Sequence, residues 1–298
     1  VPWAHRERDT LLVRAQLSQT EVAVYRDGQG TISTSSPRPY LHPVRTPAGV
    51  VVSAHHTADH DWHNGVGMAI PDVNGSSFWG GGTYIDGRGY VLLDNHGVIV
   101  GEPPELEDNA FTQDLTWIGR DGSVALREQR SVGWSDIDEH SWRLIFESRL
   151  HSDADAELNS PGSKGRVGAG YGGFFWRFPA CDNVEVFTAD ARGEDEVHGS
   201  LARWLAWSAD FAAGPGISGP ATIVIAAPEA AAAGEPWFVR VRDYPGVGSA
   251  LAWDRPKILA PGAELHRRFE VTITDGRLSE AEVRDWLQNL PSRDALPD

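Results

Sequence analysis

The residues best placed to do chemistry crowd into one stretch, His55-His56-Thr57-Ala58-Asp59-His60-Asp61-Trp62-His63-Asn64-Gly65. It holds four of the chain's eleven histidines, with two aspartates and a tryptophan between them. Imidazole titrates near neutral pH and is the commonest side-chain metal ligand. A surface loop has no structural need for so many, so the stretch points to a catalytic or metal site. His60 and His63 stand at i and i+3. On a regular extended strand that spacing sends side chains to opposite faces, whereas in a turn they can converge. Asn64 and Gly65 favour a turn. Three readings stay open. His60 and His63, joined by His56 or His96 and by a carboxylate such as Asp59 or Asp61, hold one divalent metal ion. Alternatively, one histidine is a general acid/base and the other orients a substrate. In the third reading the histidines only hydrogen-bond loop backbone.

Other segments offer supporting groups. His42 lies between Leu41 and Pro43, where the proline holds it extended. Arg38 and Arg45 flank it and can present donors to sugar hydroxyls or a carboxylate; an edge strand with a salt bridge explains them equally well. His96 sits among apolar residues of Leu93-Asp94-Asn95-His96-Gly97-Val98. Arg177 faces opposite to Phe174, Trp176 and Phe178, so a core beneath those rings leaves it on the other side of the sheet. Arg240 and Arg242 share a face in the same way. Trp62, Trp79 and Tyr84 are the stacking candidates, beside the histidines and the Gly80-Gly81-Gly82 run. That run lacks the strand–helix context of a phosphate loop. A standard glycosidase needs two carboxyl groups at a set separation, and the acidic residues here lie mostly in charged loops.

The elements that must position these groups alternate with period two. Trp142, Leu144 and Phe146 share one face; so do Phe269, Val271 and Ile273, and so do Trp237, Val239 and Val241. Such runs predict half-buried antiparallel strands. Asp27-Gly28, Asn74-Gly75, Asp86-Gly87, Asp121-Gly122 and Asp275-Gly276 punctuate them as turns. Residues 201–210 lean to strand, and Glu105 to Asp108, Asp153 to Glu157 and Ala230 to Ala233 read as loops. One helix stands out. Ser279 and Glu282 form a capping box, Val283, Trp286, Leu287 and Leu290 follow at helical spacing, and Pro291 ends the run. No linker or repeat divides the chain, so one large β-sandwich over residues 1–298 is expected.

Bulk composition narrows the partners. The 298 residues carry 26 basic and 42 acidic side chains, a net charge of −16. That field repels a phosphate backbone or an anionic membrane surface but not a neutral sugar. The single cysteine, Cys181, excludes an internal disulfide and suits a reducing, cytoplasmic compartment. The first residues do not form a signal peptide, and no apolar run is long enough to cross a bilayer. Twelve tryptophans suit stacking on sugar rings as well as core packing.

Several segments also resemble the bacterial PmoA-like family of unknown function. They are Arg38-Pro39-Tyr40-Leu41-His42-Pro43-Val44-Arg45-Thr46-Pro47, Asp59-His60-Asp61-Trp62-His63-Asn64-Gly65 and Val73-Asn74-Gly75-Ser76-Ser77-Phe78-Trp79, with Gly172 to Arg177, Gly219 to Thr222 and Leu259 to Leu265 later. The resemblance implies a β-supersandwich similar to galactose mutarotase and a link to sugar oxidoreductases. It also implies that a strand histidine such as His96 reaches the cleft. A mutarotase would pair its histidine with a late glutamate; Glu229 and Glu235 are nearest, in segments that do not match.

Together these readings point to a carbohydrate-active enzyme that cleaves a glycosidic bond by elimination or hydrolysis. In a keto-glycoside the proton beside the ketone is acidic enough for histidine, and Arg177 or a metal would steady the enolate. His60, His63, His96 and Arg177 are its expected catalytic groups. Arg38, His42, Arg45, Trp62, Trp79 and Tyr84 are the expected substrate contacts, and His56, His60 and His63 the metal candidates. An aldose epimerase, a non-catalytic sugar-binding sandwich, and an oxygenase built on two histidines and a carboxylate are the alternatives.

Overall fold

The alternating runs pair into two large antiparallel sheets, packed face to face as a β-sandwich. A computed structural model describes residues 3–7, 10–17, 20–212 and 217–289. Among these, eight strands form the first sheet, in the order Trp3–Glu7, Thr10–Leu17, Thr20–Arg26, Tyr40–Val44, Val66–Ala69, Gly173–Arg177, Gly246–Ser249, Trp237–Arg240. The second sheet runs Val98–Gly101, Ala110–Ile118, Val124–Asp136, Ser141–His151, Glu264–Asp275, Gly219–Ala226, Trp204–Phe211, Cys181–Phe187. The inward residues of both sheets fuse into one core. Phe174 from the first sheet stacks on Phe269 from the second with ring centroids 4.2 Å apart, and Phe178 stacks on Trp207 at 4.5 Å. The expected period-two faces are the buried ones: Trp142, Leu144 and Phe146 in one strand, Phe269, Val271 and Ile273 in its neighbour.

One polar knot crosses this core. Glu128 and Arg130, both fully buried, share a two-point ion pair, Nε to Oε1 at 2.8 Å and Nη2 to Oε2 at 2.9 Å. Trp117 Nε1 donates to the same Glu128 at 2.9 Å. Arg130 Nη1 reaches across to the Pro39 carbonyl at 3.1 Å, and the Tyr25 hydroxyl of the first sheet donates to Gln113 Oε1 of the second at 2.7 Å. Both charges of the knot therefore have partners, the condition under which such a pair can be kept inside a core.

The turns behave as their residues require. In all five Asx-Gly turns the glycine has φ between 70° and 91°, the left-handed region that side chains disfavour. The C-terminal helix, Glu280–Asn289, begins at the capping box: Ser279 N donates to Glu282 Oε2 at 2.7 Å and Glu282 N donates to Ser279 Oγ at 3.3 Å. Val283 seats it on Phe187, Ala206 and Val224; Leu290 and Pro291 lie outside the described residues. Trp204–Phe211 is a strand, as expected. Three loop expectations need correction. Pro228–Ala232 is a short helix, because Pro228 sits at its first turn and the alanines that follow are strong helix formers. Glu105–Leu106 pairs with Phe111 and Thr112 as a short exposed strand. Ala156–Asn159 is a strand as well, anchored by buried Ala156 and Leu158.

The outer face of the first sheet carries the feature that matters for function. Phe175 stands between Gly67 on one neighbouring strand and Gly248 on the other, and Phe238 lies beyond Gly248. One register along, Gly246 separates Arg177 from Arg240. Glycine neighbours leave a furrow that these four side chains fill, with Phe175, Phe238 and Arg177 themselves buried there, on the face opposite Phe174, Trp176, Trp237 and Val239.

Candidate active site

The histidine stretch folds over that furrow as a β-hairpin, His55–Thr57 and His60–Asn64, with Ala58 and Asp59 at the turn. Its ladder pairs Thr57 with His60 but His55 with Asn64, so the second strand carries extra residues between the two pairs. A bulge of this kind breaks strict alternation. It explains why His60 and His63, three apart on a strand, come together: their rings stack at 4.5 Å and 14°. The turn expected from Asn64 and Gly65 is thus replaced by a bulged strand with the same effect.

His63 is buried in an aromatic cage. The rings of His60, Trp79, Phe175 and Tyr244 lie 4.5, 5.6, 5.1 and 5.1 Å away. Its Nδ1 is buried without a hydrogen-bond partner among the described residues. Burial, helped by His60, Arg177 and Arg38, holds its pKa well below the usual value, so this imidazole is neutral at pH 7.

His60 is half-buried and differently placed. Its Nδ1 lies 2.9 Å from Asp59 Oδ2. A carboxylate only accepts, so in the neutral ring Nδ1 carries the hydrogen and Nε2 keeps the lone pair. Arg177 Nη2 in turn donates to both Asp59 oxygens, at 2.9 and 2.7 Å. Burial alone would raise the Asp59 carboxyl. Hydrogen bonds from His60 and Thr57 and the Arg177 charge outweigh it and keep the group ionised. The Arg177 guanidinium rests 4.7 Å over the Tyr244 ring. The result is a chain of contacts, Arg177 to Asp59 to His60, that ends in a free ring nitrogen.

That end opens on a cleft of about 420 Å³, within the range of small-molecule sites of roughly 300–1,000 Å³. His60, His63, Trp62, Trp79, Tyr171 and Tyr244 line it, with Phe238 and Arg240 from the furrow and Tyr90, Arg166 and Asp243 at the rim. Across the mouth Arg166 Nη1 donates to the Tyr90 hydroxyl, which lies 3.1 Å from that of Tyr171.

Several expected site residues face elsewhere. Arg38 is buried with its donors spent on the carbonyls of Ser35, Ser36 and Trp62, at 2.9, 2.9 and 2.8 Å; it pins the hairpin and cannot reach a substrate. Arg45 pairs with Glu21 at 3.0 Å. His96 does not face the cleft: its Nε2 bonds the Gly81 carbonyl at 2.8 Å and steadies the glycine run. Tyr84 packs edge-on against Tyr90 at 5.7 Å and lies outside the cleft lining. Arg177 lies under Asp59 and outside the lining too, so it positions the site from beneath. Arg242 pairs with Glu194 and Asp195 at the surface. Tyr171, Phe238 and Tyr244 were not singled out from sequence as site residues.

The metal candidates do not fit an ion. A metal held in the plane of one imidazole at about 2.0–2.1 Å falls out of the plane of the other when the rings are stacked face to face. His56 turns away, its Nδ1 against the Asp61 carbonyl at 2.8 Å. Among the described residues no three His, Cys, Asp or Glu side chains converge as a ligand group. The two-histidine, one-carboxylate pattern of the oxygenase reading is therefore not formed.

His42 and His55 make a separate pair on another face of the hairpin, stacked at 4.1 Å. Ser53 Oγ lies 2.9 Å from His42 Nδ1, and the Tyr40 hydroxyl 3.0 Å from His55 Nδ1. Burial first, then neighbouring cationic groups, push their pKa values from 6.5 down to about 3 and about 4. Below pH 6.5 the unfolded chain binds protons at these two sites that the folded one refuses, so the pair's contribution to stability falls as pH drops and levels off near pH 3. The urea midpoint is expected to be lower at pH 4.5 than at pH 7, and less so in His42→Gln/His55→Gln. An equal drop in that variant would show that other groups set the acid limit.

The glycine run has its own role. Gly81 has φ of 69°, and a Cβ there would stand 2.5 Å from Trp62 Cε2. Gly81→Ala is therefore expected to unseat Trp62 and weaken ligand binding by about tenfold, equivalent to ~1.4 kcal/mol. Near-ultraviolet circular dichroism and a binding titration would read this; an unchanged indole signal and affinity would contradict it.

Residues 13–288 match the model of DUF6807, a family of unknown function. The chain belongs to that family. No curated protein matches this DUF6807 chain in sequence. Among solved structures it is similar to a mutant of the heparan sulfate lyase HepC from Pedobacter heparinus, at 10% identity and a TM-score of 0.30. The match covers 93% of this chain and 35% of that one, so the chain spans about a third of its length. A score of that size carries no argument about activity. No helix among the described residues is long and apolar enough to cross a membrane.

Proposed function

We propose that this DUF6807 protein is a carbohydrate-active enzyme that cleaves a glycosidic bond, with His60 as the general base. The observation that carries the reading is the 2.9 Å contact between Asp59 and His60 Nδ1, backed by Arg177, at the edge of an aromatic cleft. It fixes one tautomer and leaves Nε2 free to take a proton. Trp62, Trp79, Tyr171 and Tyr244 supply the flat faces that hold a sugar ring. The resemblance of the opening motifs to PmoA-like proteins is in keeping with the same substrate class and with a functional link to a sugar oxidoreductase.

Elimination on a keto-glycoside suits the site best. His60 Nε2 removes the proton beside the ketone. The positive charges of Arg166 and Arg240, both among the lining residues, favour the developing enolate, with the Arg240 guanidinium held in place by the Gly168 and Val239 carbonyls. This chemistry needs no pair of carboxylates. The epimerase alternative loses its base. Glu235 lines a different cavity, of about 390 Å³, where Arg267 and Lys257 hold it. Glu229 is outside the histidine cleft as well.

The reading is tested with a panel of glycosides and their keto derivatives, with sugar release and enone absorbance as readouts. Turnover of a keto-glycoside by wild type, absent in His60→Ala, is the expected result. Binding without turnover, lost in Trp62→Ala and kept in His60→Ala, would make the protein a sugar-binding module instead.

A further inference from the structure

Elimination needs a second proton transfer, because the departing oxygen leaves as an alkoxide unless an acid meets it. The cleft contains no carboxyl group placed beside His60 to supply that proton. Asp59 is held by Arg177 and His60, and Asp243 stands at the exposed rim. Two half-buried tyrosines remain. The Tyr171 hydroxyl is engaged with Tyr90, 3.1 Å away. Tyr244 is the one whose ring touches both histidines, at 4.7 Å from His60 and 5.1 Å from His63. No described residue hydrogen-bonds its hydroxyl, which is also not sealed off from the cleft.

We propose that Tyr244 is the general acid of this site, giving its phenolic proton to the departing glycosidic oxygen while His60 takes the carbon-bound proton. The proposal rests on the elimination reading above. Arg177 is what suits Tyr244 to this role. Its guanidinium lies 4.7 Å over the ring face, where a cation stabilises the negative charge that the ring acquires on losing its proton. Burial raises the phenol's pKa, with Arg240 and Arg177 pulling the other way, so the group holds its proton at neutral pH. Arg177 thus serves both partners, through Asp59 on the base and through the ring on the acid.

The step balances without any oxidant or reductant. The carbon–hydrogen bond beside the ketone breaks and its proton goes to His60 Nε2. Its electron pair forms the carbon–carbon double bond, through the enolate. The carbon–oxygen bond one position further breaks, and the oxygen leaves with that bond's electron pair and takes the Tyr244 proton. The products are an enone sugar and an alcohol. The proton on His60 then returns to the Tyr244 phenolate, directly or through water, and restores both groups.

Leaving-group chemistry tests this. Tyr244→Phe would be assayed on an alkyl keto-glycoside, whose leaving oxygen needs a proton, and on a nitrophenyl one, whose leaving oxygen does not. In parallel, deuterium uptake from heavy water beside the ketone of a keto-sugar without a leaving group reads the base alone. The expected result is a loss of about 10²–10⁴-fold on the alkyl substrate, a much smaller loss on the nitrophenyl substrate, and persistent deuterium uptake. Equal losses on both substrates, or no loss on either, would overturn the proposal and leave His60 as base standing. A wild-type protein that takes up no deuterium would bring down the elimination reading, and this proposal with it.

Discussion

Replacing His60 with alanine is expected to lower keto-glycoside turnover by about 10²–10⁴-fold, with an unfolding midpoint close to that of wild type. His60 is half-buried at the tip of a hairpin, so its loss removes the base without opening the core. Asp59→Asn should follow it in direction. An amide can donate where the carboxylate only accepts, so it admits the opposite tautomer, with the hydrogen on Nε2 and no base toward the cleft. The ratio kcat/KM for both variants, with urea unfolding as the control for folding, checks this. Wild-type turnover in His60→Ala would remove His60 from the mechanism.

The second large effect is on stability. Arg130→Met leaves the fully buried Glu128 carboxyl without its counter-ion, with only Trp117 Nε1 to face it among the described residues. Breaking one side of such a pair costs about 3–5 kcal/mol, a large share of the roughly 5–15 kcal/mol that holds a domain together. Urea denaturation should show a markedly lower midpoint at unchanged slope. Replacing both partners, as Glu128→Leu/Arg130→Met, should recover much of the loss, because it removes the stranded charge along with its partner. If the double variant proved as unstable as the single one, the damage would lie in lost packing and the Tyr25 and Pro39 contacts, and the stranded-charge account would fail.

How much of this was legible in the sequence follows from what each signal depends on. Period-two alternation is local, so the sandwich faces around Trp142, Phe269 and Trp237 could be read directly, and the Ser279–Glu282 cap likewise. The histidine stretch stood out by composition. Its geometry did not, because the bulge that brings His60 onto His63 is a property of register between two strands, and register is written in tertiary packing. Arg38, Arg45 and His96 have the right chemistry in the right neighbourhood. Burial and a satisfied hydrogen bond, which spacing does not encode, commit them to structure. Tyr171, Phe238 and Tyr244 were missed for the complementary reason. They sit in segments far along the chain: Phe238 in a strand that Gly246 and Gly248 separate from Phe175 and Arg177, Tyr171 and Tyr244 in irregular stretches just before the strands Gly173–Arg177 and Gly246–Ser249. Those glycines were visible, but nothing local showed which strands would flank them.

The central claim is that His60 takes a proton from carbon in the aromatic cleft. The most direct measurement is nuclear magnetic resonance of a keto-sugar without a leaving group, held in heavy water with wild type, His60→Ala or no protein. Deuterium uptake beside the ketone with wild type, falling to the protein-free rate with His60→Ala, is the predicted result. Uptake at the same rate in wild type and His60→Ala, or none above background in wild type, would contradict it.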